Sequence, residues 1–569
     1  MAEIEIQPKN SDDSSDHSVL PEVGHWVLFS TILASSMAFI DSSALNVALP
    51  TLQDDLQTSG AQLLWIVNTY LLMLAALILV GGSLGDKLGR KKVFMLGIGL
   101  FVLASLACGL TPNIEFLLGA RIAQGIGGAM MIPGSLAIIT ATFGPEHRGR
   151  AIGTWSAATT IVTIAGPVVG GCLADVGLWR GVFLINLPIG LTALLMLHFK
   201  VPESCNQTAS DKIDYLGAIL ATVGLAGLTY GFISLPDLGL AHPGVYVSLL
   251  GGVAALVSCG IVEVRSHHPM LPLHLFQSRT FSGANLLTLF LYGALNVGTF
   301  FLCLNLVQAQ SYSQSIAGFA DMPFALLLAG LSPWAGKLAD RYGPRLSLIV
   351  GPTLAGFGFL LLALVGLTQG PVEYWTTFFP GIFVFGLGMA ITVAPLTTAV
   401  MGSAPMHYAG TASGINNAVA RTAGALAIAI VGAIALSTFA QALATHTADL
   451  NLSGEVRSAI QTGAARLGQT LDLGDMAPEE VRAAETAIKL AFVDTFQCVM
   501  LICAALAWLS AIVGAILVER RDPLAEAPLA SKSWSETRQD LEILAMQNQY
   551  QPYQIDRSKV EAGVSDLVP

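Results

Sequence analysis

Two ionisable residues stand inside long apolar stretches of this sequence. Asp41 lies within the apolar run 26–47, and Arg121 lies within the run 114–141. A charge in such a run is costly in a membrane unless it is paired or lines a wet cavity, so we expect each one to be functional. Burial favours the protonated form of a carboxyl group, which would let Asp41 take up and release a proton. The alternative for Asp41 is a structural hydrogen bond to a neighbouring helix.

A glycine-rich basic turn occurs twice in the chain, at 82–92 and at 336–345. Three pairs of residues in these turns keep one offset of 254 residues: Gly82 with Gly336, Asp86 with Asp340, and Gly89 with Gly343. Two further pairs keep an offset of 261 residues: Gly125 with Gly386, and Gly127 with Gly388. This parallel duplication predicts two six-helix repeats, a transporter architecture in which substrate crosses between the halves near the middle of the membrane.

The two charges that stand in apolar runs are not duplicated. The offset of 261 places Ile382 opposite Arg121. The offset of 254 places Asp41 near Leu295 and Asn296, in an uncharged stretch. Scaffolding is expected to be duplicated with the scaffold, whereas a charge present in one half is expected to do chemistry. An always-protonated guanidinium can favour the ionised form of a nearby carboxylate and can order water, which is the role we expect of Arg121.

The composition is that of a membrane protein. Of 569 residues 53% are hydrophobic and 11% charged, with a mean hydropathy of +0.66, whereas soluble proteins carry about 25% charged residues. About fourteen apolar runs are long enough to span a bilayer, at 26–47, 61–82, 93–110, 114–141, 151–173, 182–199, 215–236, 244–263, 283–308, 316–335, 346–367, 375–400, 412–440 and 490–518. They must be helices, because each backbone group in lipid needs a partner within its own segment.

Lysines and arginines gather in alternate short loops, so both termini and the two basic turns are predicted to face the cytoplasm. The predicted divisions are a disordered tail 1–25, a six-helix bundle 26–200, an inserted two-helix linker 201–282, a second bundle 283–518 and a cytoplasmic tail 519–569. The long polar outer loop 441–489 is expected to cap the outer face; docking of a periplasmic adaptor protein is the alternative. The net charge of −11 resides in the tails and this loop.

Several function classes lack support in the sequence. There is no Gly-x4-Gly-Lys-Ser/Thr loop for binding ATP phosphates. The seven cysteines show no spacing typical of a metal site or a disulfide framework. The basic residues cluster where membrane orientation explains them, so nucleic-acid binding is not expected. We therefore predict neither an enzyme nor a bound cofactor or metal, and a proton gradient as the energy source.

The paired turns resemble the signature loop of the major facilitator superfamily. Further segments are similar to motifs of its 14-helix drug:proton antiporter family, which includes multidrug efflux pumps. They are Asp41 to Pro50 in the first helix, Arg121 to Gly125 in the fourth, Gly166 to Gly171 in the fifth, Trp179-Arg180 with Phe183, Asn186 and Pro188, and Ala409 to Gly414. The resemblance covers about 26–518 and is specific for the family but not for a substrate.

The resemblance implies roles for individual residues. Asp41 and Arg121 are expected to handle protons, while Asn46 and Gln124 are expected to contact substrate together with Asp321. A helix-dipole role is the alternative for Asp321, since an acid in a first helical turn is favoured by the dipole alone. The element of Gly166, Pro167, Gly170 and Gly171 is expected to form a thin, mobile seam between helices. The turns are expected to act as a conformational latch formed by Gly82, Asp86, Gly89, Arg90, Lys91, Glu146, Gly336, Asp340, Arg341, Gly343 and Arg345.

We therefore predict an all-α integral membrane protein with the major facilitator fold, located in the cytoplasmic (inner) membrane. Its expected function is proton-coupled efflux of small apolar or cationic compounds, such as drugs, by alternating access. The alternative is a proton-coupled transporter that takes up or exports one specific metabolite or siderophore. A membrane sensor without transport is less favoured, because the tail 519–569 is too short and polar for a signalling domain. The expected partners are the bilayer, the substrate and protons.

Overall fold

The computed structural model describes residues 21–143, 145–203, 214–266, 273–404, 409–448, 450 and 478–519. Over these ranges the chain is helical, without β-strands. The α-helices are α1 Pro21–Leu56, α2 Gly60–Leu88, α3 Arg90–Gly109, α4 Ile114–Thr142, α5 Pro145–Asp175, α6 Gly181–Leu184, α7 Asn186–Lys200, α8 Tyr215–Leu238, α9 Pro243–Arg265, α10 Arg279–Gln308, α11 Gln314–Ala320, α12 Met322–Tyr342, α13 Arg345–Ala363, α14 Phe378–Gly402, α15 Ala409–Thr447 and α16 Pro478–Leu517. Short 3-10 turns lie at Leu273–Gln277 and Pro371–Glu373.

The predicted all-helical membrane fold is confirmed. Within the described ranges, 13 helical segments are long and apolar enough to cross a membrane. The remaining predicted segment, 151–173, lies within the 31-residue helix α5. The apolar runs of the sequence thus mark helices of the protein.

Two segments that the apolar pattern predicts as continuous helices, 182–199 and 316–335, are each divided into two helices. One break separates α6 from α7 at Ile185, and the other separates α11 from α12 at Asp321. Pro188 and Pro323 follow these breaks closely. A proline has no N–H for the carbonyl four residues earlier, so the hydrogen-bond ladder is interrupted just before each of them.

The helices α15 and α16 extend into the segment 441–489 that the sequence analysis assigned to the outer loop. α15 continues to Thr447, and α16 already begins at Pro478. The first turns of α16 carry Glu480 and Lys489 among alanines, which are good helix formers. Hydropathy alone made both helices too short at their outer ends, because these polar turns still belong to the helices.

The two basic turns have the same backbone conformation at the glycine that ends each preceding helix. Gly89 ends α2 with φ 107°, and Gly343 ends α12 with φ 83°. Residues other than glycine rarely adopt a positive φ angle of this kind, so the backbone conformation explains why glycine occurs in both turns. The Glu203 carboxylate then accepts hydrogen bonds from the backbone N–H groups of Lys91 and Lys92, at 2.9 and 3.2 Å.

The duplication also appears in helix packing within each half. A Cβ atom on Gly127 of α4 would meet the backbone of α3 at Gly97, and a Cβ atom on Gly388 of α14 would meet the backbone of α13 at Gly351. These pairs keep the two offsets found in the sequence, 254 and 261 residues. Close backbone approach at small residues is a main device of helix packing in membranes. The halves are therefore built on the same internal contacts.

The halves meet along two seams, one between α5 and α11 and the other between α2 and α15. Helices α8 and α9 pack on each other, and α8 also packs on both α2 and α15. This inserted pair therefore covers the second seam. Leu225 of α8 contributes to an apolar cluster with Leu72 of α2, and partly buried Leu426 of α15 packs against that cluster.

The end of the bundle opposite the basic turns is closed. The Asp175 carboxylate of α5 accepts hydrogen bonds from the backbone N–H groups of Gln314 and Ser315 at the start of α11, at 2.8 and 3.0 Å. Gln308 Nε2 also donates to Gln53 Oε1 at 3.2 Å. Over the described residues, α5 packs much less closely on α12 than on α11.

Candidate transport site

Asp41 and Arg121 form a buried ion pair in the first half. Nη1 of Arg121 on α4 lies 2.5 Å from Oδ2 of Asp41 on α1. The two residues are 1% and 0% exposed. Arg121 Nε also donates to the carbonyl oxygen of Ile66 on α2 at 3.2 Å. The structure thus brings together the two charges that the sequence singled out.

Gln124 completes this pair, one helical turn after Arg121. Its Nε2 donates to Asp41 Oδ1 at 2.8 Å, and its Oε1 accepts from Arg121 Nη1 at 2.6 Å. The same Nε2 donates to Ser105 Oγ on α3 at 2.9 Å, and Asn186 Nδ2 on α7 donates to that hydroxyl at 3.3 Å. We call Asp41, Ser105, Arg121, Gln124 and Asn186 the polar network. It links α1, α3, α4 and α7.

Aromatic rings enclose the guanidinium group of the polar network. Its central carbon lies 4.5 Å from the centre of the Tyr70 ring and 5.8 Å from that of Phe183. A cation over such a ring face is attracted electrostatically. Tyr70 and Phe183 are almost fully buried, so they also shield Arg121 from solvent.

The polar network can respond to a proton. In its present arrangement the buried carboxylate is matched by one guanidinium and by an amide N–H. Protonation of Asp41 would remove its charge and weaken its bond to Arg121. Arg121 would keep the Gln124 and Ile66 oxygens as acceptors. A buried pair that loses one charge becomes strongly unfavourable, so a change in protonation would favour rearrangement of α1 against α4.

The equivalent place in the second half holds an aromatic cluster. Gly125 packs against Tyr70 in the first half, and Gly386 packs against Phe324 in the second, which preserves both offsets. Phe385 stands at the position of Gln124 and stacks on Phe324, with ring centres 4.9 Å apart. Phe359, at the position of Ser105, lies 4.5 Å from Phe385, and Ile382 replaces Arg121. We call Phe324, Phe359, Ile382 and Phe385 the aromatic cluster.

The three predicted substrate contacts lie in different surroundings. Gln124 is fully buried, and both ends of its amide are engaged in the polar network. Asn46 is half-buried on α1, five residues after Asp41. Asp321 is half-buried at the joint of α11 and α12 and makes no side-chain hydrogen bond to the start of α12. Asp321 is near enough to Tyr374 to interact electrostatically with it.

The predicted latch can be described only in part. The side chains of Asp86, Glu146 and Asp340 lie outside the described residues. Arg90 Nη1 donates to the carbonyl oxygen of Ala137 on α4 at 3.5 Å. Lys91 Nζ donates to the carbonyl oxygen of Val201 at 2.7 Å.

The basic residues of the second turn have their own contacts. Arg345 donates to the carbonyl oxygen of Ala515 on α16 at 2.6 Å. The guanidinium of Arg341 lies 5.2 Å from the centre of the Tyr342 ring. Gly336 packs opposite Ala394 just as Gly82 packs opposite Pro133 in the first half.

The Gly-Pro element of α5 lies against α1 on one side and α11 on the other. A Cβ atom on Gly166 or Gly170 would overlap α1 at Ser43 and Ala44. A Cβ atom on Gly171 would overlap the backbone of Gln314 on α11. The carbonyl of Pro167 likewise touches α11 at Gly318. This element therefore packs between the polar-network helix α1 and the other half.

Sequence reasoning missed Arg421. It lies in the first third of α15, inside the predicted apolar run 412–440, and is half-buried. Its charge acts on Tyr70 of the first half and on Tyr292 of the second. The run is so apolar that hydropathy did not mark the residue; a search for single charges within each run would have found it.

Trp179 and Arg180, which the resemblance marked as a motif, hold Asp55 at the closed end. Trp179 Nε1 and Arg180 Nη1 donate to Asp55 Oδ2 at 3.0 and 2.6 Å. The Arg180 guanidinium lies 4.2 Å from the centre of the Trp179 ring. Within the described ranges, no group of three His, Cys, Asp or Glu residues could hold a metal ion.

The chain is similar to known transporters along most of its length. Residues 31–429 match the model of the Major Facilitator Superfamily. The multidrug resistance protein Stp of Mycobacterium tuberculosis is 35% identical over 428 residues, which cover 74% of this chain and 77% of that protein. The tetracenomycin C resistance and export protein of Streptomyces glaucescens is 27% identical over 505 residues, covering 88% and 93%.

Solved structures share the fold. A bacterial homologue of the human lysosomal transporter Spinster, in an inward-facing and unoccupied conformation, superimposes with a TM-score of 0.61. The alignment covers 89% of this chain and all of that one, at 19% sequence identity.

Proposed function

The chain belongs to the major facilitator superfamily and is a membrane transporter, and from that premise we propose that it exports small apolar or cationic compounds in exchange for protons. The observation that carries the proposal is the buried polar network around Asp41 and Arg121. A buried ion pair contributes little net stability, so stability alone does not account for it. An ionisable pair inside a membrane protein is most often part of an ion or proton pathway.

In this proposal Asp41 carries the proton, and Arg121 sets the energy of its ionised form. While Asp41 is ionised, the pair holds α1 to α4. Protonation neutralises the carboxyl group and releases α1 from the guanidinium. Gln124 would reach a substrate only after its bonds to Asp41 and Arg121 are broken. Proton binding and substrate binding would then compete for the same polar groups, as exchange requires.

A contiguous set of contacts leads from the proton site to the closed end. Ser43 and Ala44 follow Asp41 on α1 and touch Gly166 and Gly170 of α5. Gly171, one residue later, touches Gln314 of the other half. A shift of α1 would therefore change the packing of α5 against α11. Small residues at these contacts let the helices slide without side-chain obstruction.

The proposed substrate site uses Asn46 and Asp321 in addition to Gln124. Asn46 and Asp321 are half-buried, and no hydrogen bond to either side chain is found among the described residues. The multidrug and tetracenomycin C resistance of the two relatives supports a drug-like, largely apolar substrate for this chain. A carboxylate such as Asp321 would suit a cationic one.

The proposal places the basic turns and both termini in the cytoplasm, where positive loops prefer to remain. The closed end then faces outward. Asp86 and Asp340 would form the latch on the cytoplasmic side when the transporter opens outward. We expect Asp86→Asn to impair transport and to leave substrate binding in place, as measured by dye efflux and dye binding on the same preparation. Unchanged efflux would contradict the latch.

Asp41→Asn tests the proton role. Proteoliposomes are loaded with ethidium, and the outer solution is acidified so that protons flow inward. The wild-type protein should release dye faster than at equal pH on both sides, because inward proton flow drives export. Asp41→Asn should show no response to the gradient, since an amide does not titrate. Asp494→Asn is the matched control, as Asp494 lies on α16 with its side chain 48% exposed.

A second variant separates coupling from folding. Asp41→Asn leaves Arg121 buried and unpaired, which costs about 3–5 kcal/mol of stability. The double variant Asp41→Asn, Arg121→Gln removes both charges and should recover the melting temperature without recovering the response to protons. Gradient-driven dye release by either variant would refute the assignment. Gradient-driven accumulation of dye by the wild-type protein would favour uptake over export.

A further inference from the structure

Polar side chains follow one face of α10 at helical spacing. Asn285, Thr288, Tyr292 and Asn296 are separated by three or four residues, so they share one face. Asn416 of α15 donates to the Asn285 and Thr288 oxygens at 3.2 and 2.7 Å.

The same face continues against α15 beyond Asn416. A Cβ atom on Gly424 would touch the side-chain amide of Asn296, so the contact of α10 with α15 reaches past the level of Arg421. Tyr292 and Asn296 are each half-buried. A polar seam therefore runs between two helices of the second half, with Arg421 beside it.

Arg421 sits deep in its helix. It lies ten residues after Thr411, where a long apolar segment of α15 begins, which corresponds to about 15 Å, or almost three helical turns, inside that segment. The side chain is half-buried, and no acid pairs with it among the described residues. A guanidinium keeps its charge at any physiological pH, so it needs an anionic or strongly polar partner at this depth.

Two tyrosines from different halves lie within the electrostatic reach of Arg421. Tyr292 comes from α10 and Tyr70 from α2. The buried Tyr70 hydroxyl makes no hydrogen bond of normal geometry to a described residue, although Ser42 lies near it. The ring of Tyr70 covers Arg121, so Tyr70 belongs to the surroundings of the polar network.

We propose that Arg421 binds the acidic group of a transported compound, with the hydroxyl of Tyr292 on the facing helix α10 as an additional donor. The substrate class is a small, largely apolar molecule that carries one carboxylate, sulfonate or phenolate, which extends the apolar and cationic compounds of the proposed function to anionic ones. This inference rests on the proposed export function and adds an anion-accepting subsite to it. A guanidinium only donates hydrogen bonds, so it suits an anionic acceptor group, and the surrounding apolar residues strengthen the charge interaction.

Two dyes with the same ring system test the charge preference directly. 8-Anilinonaphthalene-1-sulfonate is anionic, and N-phenyl-1-naphthylamine is its neutral counterpart. Each is titrated by fluorescence into the purified full-length protein in phosphatidylcholine nanodiscs, with empty nanodiscs as background. Arg421→Gln should weaken binding of the sulfonate by about tenfold or more and change binding of the neutral dye by less than about twofold. Arg421→Lys should lie between wild type and Arg421→Gln.

Arg482→Gln is the matched control, because Arg482 is an exposed arginine on α16 and loses the same charge. Equal losses for both dyes in Arg421→Gln would show a structural role and overturn the proposal. Unchanged sulfonate binding in Arg421→Gln, or a wild-type protein that does not bind the sulfonate, would overturn it as well. Displacement of the sulfonate by phosphatidylglycerol in the nanodiscs would assign the subsite to a lipid headgroup instead.

The titration uses no proton gradient, which keeps the two proposals separable. Failure of gradient-driven export would contradict the proposed function and leave charge-selective binding at Arg421 intact. Loss of charge selectivity with normal export would contradict the subsite alone.

Discussion

In the first half, Arg121 and Gln124 face Asp41 inside a polar network, whereas in the second half the equivalent positions hold Ile382 and Phe385 inside an aromatic cluster. The helices around both places pack through the same glycine contacts. The shared contacts are therefore scaffold. At equivalent positions the first half carries charged and amide side chains, whereas the second half carries aliphatic and aromatic ones.

The seams between the halves differ in the same way. At the closed end, two backbone N–H groups at the start of α11 donate hydrogen bonds to the Asp175 carboxylate of the opposite half. The equivalent helix start, that of α2, is capped by its own Ser59 and Gln62. The residue at the position of Asp175 in the second half is Leu436. One seam is thus fastened by a charged group, and the other is held by apolar packing.

The largest expected effect comes from replacing Arg121 with an apolar residue, since the equivalent position of the second half is apolar. Arg121→Met should abolish gradient-driven dye release, because it leaves the Asp41 carboxylate buried without its cation. Ile382→Met at the equivalent position should leave release unchanged, since a swap of similar volume in an apolar core costs less than about 1.5 kcal/mol. The proteoliposome assay checks both. Equal effects of the two substitutions would break the comparison.

The next largest effect is expected at Gly170. Gly170→Ala places a methyl group into the backbone of α1 at Ala44, so the slide of α5 past α1 should be obstructed. We expect transport to fall strongly while binding of the neutral dye persists. Gly99→Ala on α3 is the control, because a Cβ atom there meets nothing within 4 Å. Normal transport by Gly170→Ala would contradict a mechanical role for this contact.

A moderate effect is expected from Asp175→Leu, which makes the two seams similar. The loss of two hydrogen bonds to an exposed carboxylate is worth about 1 kcal/mol, which shifts the closed state by roughly fivefold. A cysteine is introduced at Asn46 in a Cys172→Ser background, because Cys172 is itself exposed. Its labelling by a membrane-impermeant maleimide from outside reports the opening. Labelling should rise in Asp175→Leu and stay unchanged in Leu436→Ile. An unaltered labelling rate in Asp175→Leu would show that the hydrogen bonds to Asp175 do not hold α5 against α11.

The smallest effect on coupling is expected from the aromatic cluster. Phe385→Ala should cost about 3–5 kcal/mol of stability, because it leaves a cavity between Phe324 and Phe359. The ratio of dye release with and without a proton gradient should remain that of the wild-type protein. Thermal unfolding in detergent and the proteoliposome assay measure the two quantities separately. A changed ratio would mean that the second half also takes part in coupling.

The fold and the centre of the site were largely predictable from the sequence. Asp41 and Arg121 stand out because each interrupts an apolar run, and the repeat shows that neither is duplicated. Their direct pairing could not be derived, since they lie 80 residues apart and the crossing of α1 with α4 sets the distance. Ser105 could not be distinguished from any other small helix residue.

Other features were beyond a reading of runs and motifs. Asp175 looks like an ordinary helix end until the folded chain places α11 beside it. Arg421 was hidden because averaged hydropathy over α15 is high. The helix breaks at Ile185 and Asp321 follow from the prolines after them, Pro188 and Pro323. A continuous apolar pattern does not reveal such breaks.

The inserted pair α8 and α9 has a consequence for the surroundings of the transporter. Because α8 lies across α2 and α15, protein covers the outside of that seam, whereas Ile161 of α5 and Trp334 of α12 are 64% and 56% exposed on the other side. Among the described helices, the two seams therefore differ in how much protein separates them from the lipid. An apolar compound dissolved in the bilayer would meet α8 in front of the α2–α15 seam. On the side of α5 and α12 it would contact the helices of the two halves directly.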